Sequence, residues 1–246
     1  MYAVHLSLGR REGIPVEGSA DRKTAVVTGV LFLVTEVAAI AGMLLYGPVL
    51  DGAAYVAGRG ADGRVVAGAL CEVVLLLAVV GTGVALYPVL RRHQEAVALA
   101  YVCGRLLEAA VIAVGIVSLL AVVTLRKDVG GAAADVAEAL VALHDWTFLL
   151  GPNVVLGANS LALAWLMYRS RLVPRAVALL GLVGGSLICA SAVAVLFGLY
   201  PQVSTAGSLA ALPVFAWEVT LAIRLIVRGF DPSSVRGAAV GRPVLG

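Results

Sequence analysis

Residues 97–125 read VALAYVCGRLLEAAVIAVGIVSLLAVVTL. A run of this length and apolarity can cross the roughly 30 Å hydrocarbon core of a bilayer as a single helix. Arg105 and Glu108 nevertheless place a positive and a negative charge near its centre, where insertion scales give a cost of about 2.5–3.5 kcal/mol for each. Other parts of the protein must offset that cost. The stretch therefore predicts a membrane protein with several spans and a polar interior.

The composition of the whole chain agrees with this interpretation. The 246 residues are 61% hydrophobic, 13% are charged, and the mean hydropathy is +1.00. These values are typical of a polytopic membrane protein and exclude an ordinary soluble domain. The net charge of +3 comes from basic residues beside the apolar runs, so it does not indicate a nucleic-acid partner. The three cysteines fall inside predicted spans and have no metal-site spacing, so neither a disulfide framework nor a metal centre is expected.

Charged blocks and Gly/Pro-rich segments divide the chain into six predicted transmembrane helices, which defines an all-α fold. In chain order these helices cover about 24–46, 65–90, 97–125, 132–168, 174–199 and 209–227. The predicted organisation is an N-terminal tail at 1–23, a transmembrane domain at 24–229 and a disordered C-terminal tail at 230–246.

Three segments depart from a simple helix–loop alternation. The fourth predicted helix is longer than one span needs, and a bend is expected at Gly151-Pro152 because proline removes a backbone hydrogen bond. Residues 50–56 could form a small interfacial turn. The fifth helix has Gly181 and Gly185 at the spacing that lets helices approach closely. That close approach could serve packing within the bundle or a homo-oligomer.

The loop charges predict the orientation of the chain in the membrane. Twelve Lys and Arg residues lie on the side of the two tails, and four lie on the opposite side. Since Lys and Arg are enriched in cytoplasmic loops, both termini are predicted to be cytoplasmic and the protein is predicted to be a multi-pass protein of the cell membrane.

Charged side chains at mid-membrane depth must face the bundle interior or a water-filled cavity. Glu36, Glu108 and Glu218 all fall near the predicted midplane, so they are expected to converge with Arg105. One arginine cannot neutralise three glutamates, and at least one carboxyl is expected to hold a proton. The predicted substrate- or proton-binding residues are Glu36, Arg105, Glu108, His144 and Glu218. No catalytic, cofactor-binding or metal-binding residues are predicted.

Each of these residues also has a structural interpretation. Arg105 and Glu108 share a helix face and could simply pair with each other. His144 could be an interfacial residue next to Trp146, and it is the sole histidine in a predicted span, which weakens a metal site. Arg224, near the end of the last helix, is expected to extend its charged group to the interface. No phosphate loop, dinucleotide fingerprint or nucleophile elbow is present in the sequence.

The sequence resembles a family of small bacterial integral membrane proteins, the domain-of-unknown-function family numbered 4386. The resemblance begins at Arg105-x-x-Glu108, continues from His144 through Gly151, and is clearest at 166–175, LMYRSRLVPR. It ends with Glu218 and the pair Arg228-Gly229, so it covers about residues 23–229. Arg224 stands where relatives are expected to have an apolar or tryptophan residue. The resemblance implies a six-helix membrane protein and no assigned activity.

Three functions remain open at this point. The first is transport of protons or of a small polar or cationic solute, which the surplus of buried carboxyls and the interrupted fourth helix favour. The second is a non-catalytic structural or regulatory membrane module, in which buried ion pairs fix the helix register. The third is an intramembrane enzyme acting on lipid-like substrates through Glu108, Glu218 and His144. The expected partners are the lipid bilayer and the transported solute or proton.

Overall fold

The computed structural model describes residues 17–58 and 61–232. Within these residues every regular element is helical, and six helical segments are long and apolar enough to cross a membrane. The predicted all-α, six-span fold is therefore confirmed. The predicted tail residues 1–16 and 233–246 and the loop residue Arg59 lie outside the described residues. The α-helices are α1 Glu17–Tyr46, α2 Gly52–Ala57, α3 Asp62–Leu90, α4 Glu95–Asp128, α5 Ala134–Leu149, α6 Leu156–Ser170, α7 Arg175–Leu196 and α8 Thr205–Val227.

One end of the bundle, called here the 91–94 face, joins the start of α1, the loop at 91–94 and the end of α8. Asp21 pairs with Arg92 at 3.0 Å. Arg22 donates hydrogen bonds to the carbonyl oxygens of Leu225 at 2.9 Å and Ile226 at 2.6 Å. Because these carbonyls lie in the last turn of α8, Arg22 satisfies groups that a helix end leaves without partners. These contacts explain why α1 begins at Glu17, whereas the sequence predicted about Thr24.

The opposite end, called here the α2 face, is covered by the short helix α2. The Asp51 carboxylate accepts a hydrogen bond from the Ala54 N–H at 3.2 Å and caps this helix. The Tyr55 hydroxyl donates to the Asp62 carboxylate at 2.5 Å, and Arg126 pairs with the same carboxylate. Burial and the neighbouring carboxylate raise the pKa of Tyr55 to about 12, so the hydroxyl keeps its proton as a donor. The predicted turn at 50–56 is therefore a helix held by polar contacts. Which of the two faces is cytoplasmic stays a prediction.

The long fourth span runs from Gly130 to Ser170 and is interrupted where the sequence predicts a bend. Residues Leu150–Val155 form a π-helical turn between α5 and α6. Pro152 has no N–H to offer the carbonyl of Phe148, and the side-chain amide of Asn153 donates to that carbonyl instead, at 3.0 Å. The proline therefore widens the helix locally without ending it. Such turns occur often at functional sites.

The glycine-rich helix α7 packs closely inside the bundle. A Cβ atom at Gly184 would lie 2.7 Å from the Val214 Cα atom, and one at Gly181 would overlap the ring of Trp217. The small residues therefore let α7 lie directly against α8. Assembly of a homo-oligomer through this helix stays a prediction.

Large apolar side chains cover the outside of the bundle. Many are half-exposed or more, as expected for side chains that contact lipid. Examples on four of the spans are Val37, Leu70, Leu77, Val117 and Val193. The charged side chains of Arg105, Glu108 and Glu218, by contrast, are buried.

Candidate functional site

Arg105 lies at the centre of a buried polar group in the middle of the bundle. The group joins four long helices, and its side chains are mostly buried. It is called here the Arg105 cluster and consists of Glu36 of α1, Tyr101, Arg105 and Glu108 of α4, Asn159 of α6 and Glu218 of α8.

The guanidinium of Arg105 is 3% exposed and bonds in three directions. Its terminal nitrogens donate to Glu108 at 3.0 Å and 3.3 Å and to Glu218 at 3.3 Å. Its Nε–H donates to the Tyr101 hydroxyl oxygen at 3.0 Å. The charged group also lies 5.6 Å from the ring centre of Phe32 and 5.3 Å from that of Tyr101, within cation–π range. These contacts offset the cost of placing an arginine at this depth.

Glu108 has a second partner on a different helix. The side-chain amide of Asn159 donates to the Glu108 carboxylate at 3.1 Å, and Asn159 is buried. This contact requires α6 to approach α4 closely, and Gly104 makes the approach sterically feasible, since a Cβ atom there would overlap the Asn159 amide. The cluster thus fixes the relative positions of α4, α6 and α8.

Glu36 is the member of the cluster whose charge is least compensated by neighbouring groups. Its carboxyl is a neighbour of that of Glu218, and Arg105 acts on it only as a neighbouring charge. Two neighbouring carboxyls in a poorly solvated place repel each other unless one of them is protonated. The pair of Glu36 and Glu218 is therefore a natural place for a proton.

A second polar group lies nearer the α2 face. The Tyr46 hydroxyl donates to the Glu72 carboxylate at 3.1 Å, and His144 lies close enough to Glu72 to interact with it electrostatically. The His144 ring is buried, packs edge-on against Tyr46 at 5.7 Å and lies parallel to the ring of Phe148 at 6.3 Å. Glu72, Tyr46 and His144 are called here the Glu72 cluster.

Members of both clusters line one cavity of about 140 Å³. The rest of its wall is mostly apolar and includes the π-helical turn of the fourth span through Pro152. Its edge includes Met43, Leu50 and Val203, which are exposed and lie toward the α2 face. On the opposite side, the apolar core around Trp217 and Leu221 closes the bundle. The cavity therefore extends from the Arg105 cluster to exposed residues on the side of the α2 face.

The structure brings all the predicted site residues to this cavity, but in two places. Glu36, Arg105, Glu108 and Glu218 meet at its deep end, and His144 lies in the Glu72 cluster. Arg224 takes no part, because it pairs with Asp231 at 2.5 Å near the 91–94 face.

Sequence reasoning left four polar residues out of the predicted site: Tyr46, Glu72, Tyr101 and Asn159. Glu72 carried the usable signal, a charge inside an apolar run, and Tyr101 lies one helical turn before Arg105 on the same face. Within residues 17–58 and 61–232, no three or more His, Cys, Asp or Glu side chains are grouped so that they could hold a metal ion.

The fold and the cavity define a polytopic α-helical membrane protein with an ionisable centre inside the bundle. More particularly, the chain belongs to the family described as "Domain of unknown function (DUF4386)", whose model matches residues 27–229. Searches of curated proteins and of solved structures gave no match.

Proposed function

We propose that the protein moves a small solute across the membrane in a cycle coupled to protons, with the cavity as the binding site. The observation that carries this proposal is a cavity inside the membrane-spanning bundle in which acidic groups outnumber basic ones. The acidic residues that line it are Glu36, Glu72, Glu108, Asp145 and Glu218, and the basic ones are Arg105 and His144. A packing device needs matched charges, whereas a site that takes up and releases protons needs a surplus of carboxyls.

The proton resides in the Glu36–Glu218 pair. With Glu36, Glu108 and Glu218 all ionised, the single charge of Arg105 would leave the deep end of the cavity with two uncompensated negative charges. Desolvation and like-charge repulsion make that state costly. A proton on the pair removes one of the charges, and a conformational change or an incoming solute can displace it.

The access route and the irregular helix agree with a transport cycle. The cavity reaches exposed residues on the side of the α2 face and has an apolar core on the other side, as expected for one of the two states of an alternating-access cycle. The π-helical turn at Leu150–Val155 lies in the cavity wall, where a local change in helix winding would alter its shape. A cavity of about 140 Å³ has room for several water molecules, since one needs roughly 10–15 Å³ on this measure.

The test is charge movement across reconstituted liposomes adsorbed on a solid-supported membrane. Concentration jumps with small cationic, zwitterionic and neutral solutes are applied at acidic and at alkaline pH. We expect at least one solute class to give a pH-dependent transient current or, for an electroneutral exchange, a change of internal pH, and Glu36→Gln to abolish it. Glu138→Gln, which changes an exposed glutamate of α5, is the matched control and should behave as the wild type.

The proposal fails if folded wild-type protein moves neither charge nor protons with any solute class and any imposed pH gradient. The second candidate, a non-catalytic structural or regulatory module, would then stand. It is favoured by one specific observation, the nearly complete pairing of Arg105 with groups from two helices.

A further inference from the structure

The size of the cavity limits what it can hold. At about 140 Å³ it is close to the engineered cavity of roughly 150 Å³ that binds benzene. A solute that fills it therefore has an apolar body of about the size of one benzene ring.

The wall of the cavity selects an apolar body. Its aliphatic and aromatic lining includes Leu75, Val79, Ile112, Phe148 and Leu156. Small-molecule sites typically combine such a lining with a few polar groups that orient the ligand. A fully polar solute would leave this lining without a partner.

The charges of the cavity select a cation. Arg105 already donates to Glu108, Glu218 and Tyr101, so a carboxylate or phosphate group on a solute would have to displace one of these. The five acidic residues named above exceed the two basic ones even when His144 is charged. A protonated amine brings the charge that the cavity lacks, and the tyrosine and phenylalanine rings of the wall also suit an ammonium group.

Two of the carboxyls are available to such a cation. Glu108 is held by Arg105 and Asn159, and Glu218 is also held by Arg105. Glu36 and Glu72, both half-buried, make no salt bridge with any residue of the described part of the chain. They lie on neighbouring helices, α1 and α3, and line the same cavity.

We propose that the solute is a small organic amine: an ammonium group in the part of the cavity between Glu36 and Glu72, carried on an apolar body of about benzene size that packs against the aliphatic wall. This assignment rests on the proposed function, because it names the substrate class of the same cavity.

Amine binding displaces the proton of the Glu36–Glu218 pair. The charged groups that face Glu36 are Glu218 of α8 and Arg105 of α4, and Glu72 of α3 lines the same space. When the ammonium group binds, its positive charge replaces the proton in compensating the second negative charge at the deep end of the cavity. The carboxyl O–H bond then breaks heterolytically, its electron pair stays on the carboxylate, and the proton passes to water. Cation binding and proton binding thus exclude each other at this pair.

Isothermal titration calorimetry on the purified full chain in lipid nanodiscs tests the assignment with three probes of nearly the same shape. Benzylamine is the cation, benzyl alcohol the neutral probe and benzoate the anion. We expect benzylamine to bind at least about tenfold more tightly than the other two. Its binding heat should change with the ionisation enthalpy of the buffer, which reports the released proton.

Two variants and a control locate the site. Glu36→Gln should remove the buffer-dependent heat and weaken benzylamine binding about tenfold or more, and Glu72→Gln should weaken binding to a similar degree while the released proton remains. Glu138→Gln should bind as the wild type does. Thermal melting of each variant checks that it is folded, and the comparison of the three probes on the wild type needs no variant.

Several outcomes would overturn the assignment. Equal binding of benzyl alcohol and benzylamine would mean that the cavity recognises shape only, and tighter binding of benzoate would make Arg105 the recognition group. Unchanged benzylamine binding in both folded glutamate variants would place the amine elsewhere. Absence of binding by all three probes would also reject it. If benzylamine does not bind but liposomes still move another solute with protons, the amine assignment fails and the proposed function stands. If benzylamine binds and no transport occurs, the cavity is an amine site and the proposed transport function fails.

Discussion

The Arg105 cluster and the Glu72 cluster line the same cavity but accommodate buried charge in different ways. In the Arg105 cluster the guanidinium contacts two carboxylates and a tyrosine hydroxyl, and Asn159 supports one of the carboxylates. In the Glu72 cluster the carboxylate accepts one hydrogen bond from Tyr46 and has no salt bridge within the described residues. Apart from the half-buried Glu36, the first cluster is buried and nearly saturated, whereas the Glu72 carboxylate of the second is half-buried and lines the cavity.

This difference separates two roles that charged residues can have in a membrane. Saturated charges connect helices and depend on one another, so loss of one partner leaves another charge buried without compensation. A carboxylate with spare acceptor capacity beside a cavity can instead receive a ligand. Substitutions at matched positions of the two clusters should therefore affect stability very unequally.

The largest expected effect comes from Arg105→Ala. Removing the guanidinium leaves Glu108 and Glu218 buried without their cation, which should cost about 3–5 kcal/mol of folding free energy. Thermal melting in detergent, followed by size-exclusion chromatography, should record a fall in melting temperature of roughly 6–20 °C.

The matched control is Arg92→Ala at the 91–94 face. Its pair with Asp21 is partly exposed, so its loss should cost no more than about 1 kcal/mol. The double variant with Arg105→Ala and Glu108→Ala should recover part of the loss, since one buried carboxylate goes with the arginine. Strictly additive losses in that double variant would show that the two side chains are not energetically coupled.

The second-largest expected effect is a difference in folding free energy between two tyrosine substitutions, one in each cluster. Tyr101→Phe takes away the acceptor of the Arg105 Nε–H at a fully buried position and should cost about 1.5–3 kcal/mol. Tyr46→Phe takes away a donor to Glu72, whose half-buried carboxylate lines the cavity, and should cost about 0.5–1 kcal/mol. Denaturant or thermal unfolding of the two variants, side by side, measures the difference. Equal losses would mean that water reaches both clusters equally well.

Most of the fold and part of the candidate site could be predicted from the sequence. Arg105, Glu108 and Glu218 were found because an ionisable residue in a long apolar run is visible without any structure, and the membrane forces it inward. Gly151-Pro152 marked the irregular part of the fourth span because proline removes a known hydrogen bond, although a π-helical turn supported by Asn153 could not be told from a bend.

The remaining parts depended on contacts between helices that are distant in sequence. Asn159 reaches Glu108 only because Gly104 lets α6 approach α4. The residue types of Asn159 and Gly104 do not by themselves predict that contact. The start of α1 was placed too late because the charged residues at 21–23 look like a tail, whereas Asp21 and Arg22 bind other helices. Glu72 was visible as a charge, but its place in the cavity follows from the packing of α1 on α3.

The smallest expected effect comes from adding one methyl group beside each cluster. In Gly104→Ala the new Cβ atom would overlap the Asn159 amide, which must turn away from Glu108 and give up a hydrogen bond to a charged group. Alanine regains about 1 kcal/mol of helix propensity, so the net loss should be about 1–2 kcal/mol. In Gly42→Ala the Cβ atom would lie 3.0 Å from the Cγ atom of Glu72, a flexible side chain that can shift into the cavity, and the loss of folding free energy should be under about 0.5 kcal/mol.

Gly63→Ala is the control, because a Cβ atom there meets nothing within 4 Å, and it should be neutral or slightly stabilising. Thermal melting of the three variants ranks them. If Gly42→Ala proved as costly as Gly104→Ala, the Glu72 cluster would be as tightly packed as the Arg105 cluster and could not accept a ligand without rearrangement.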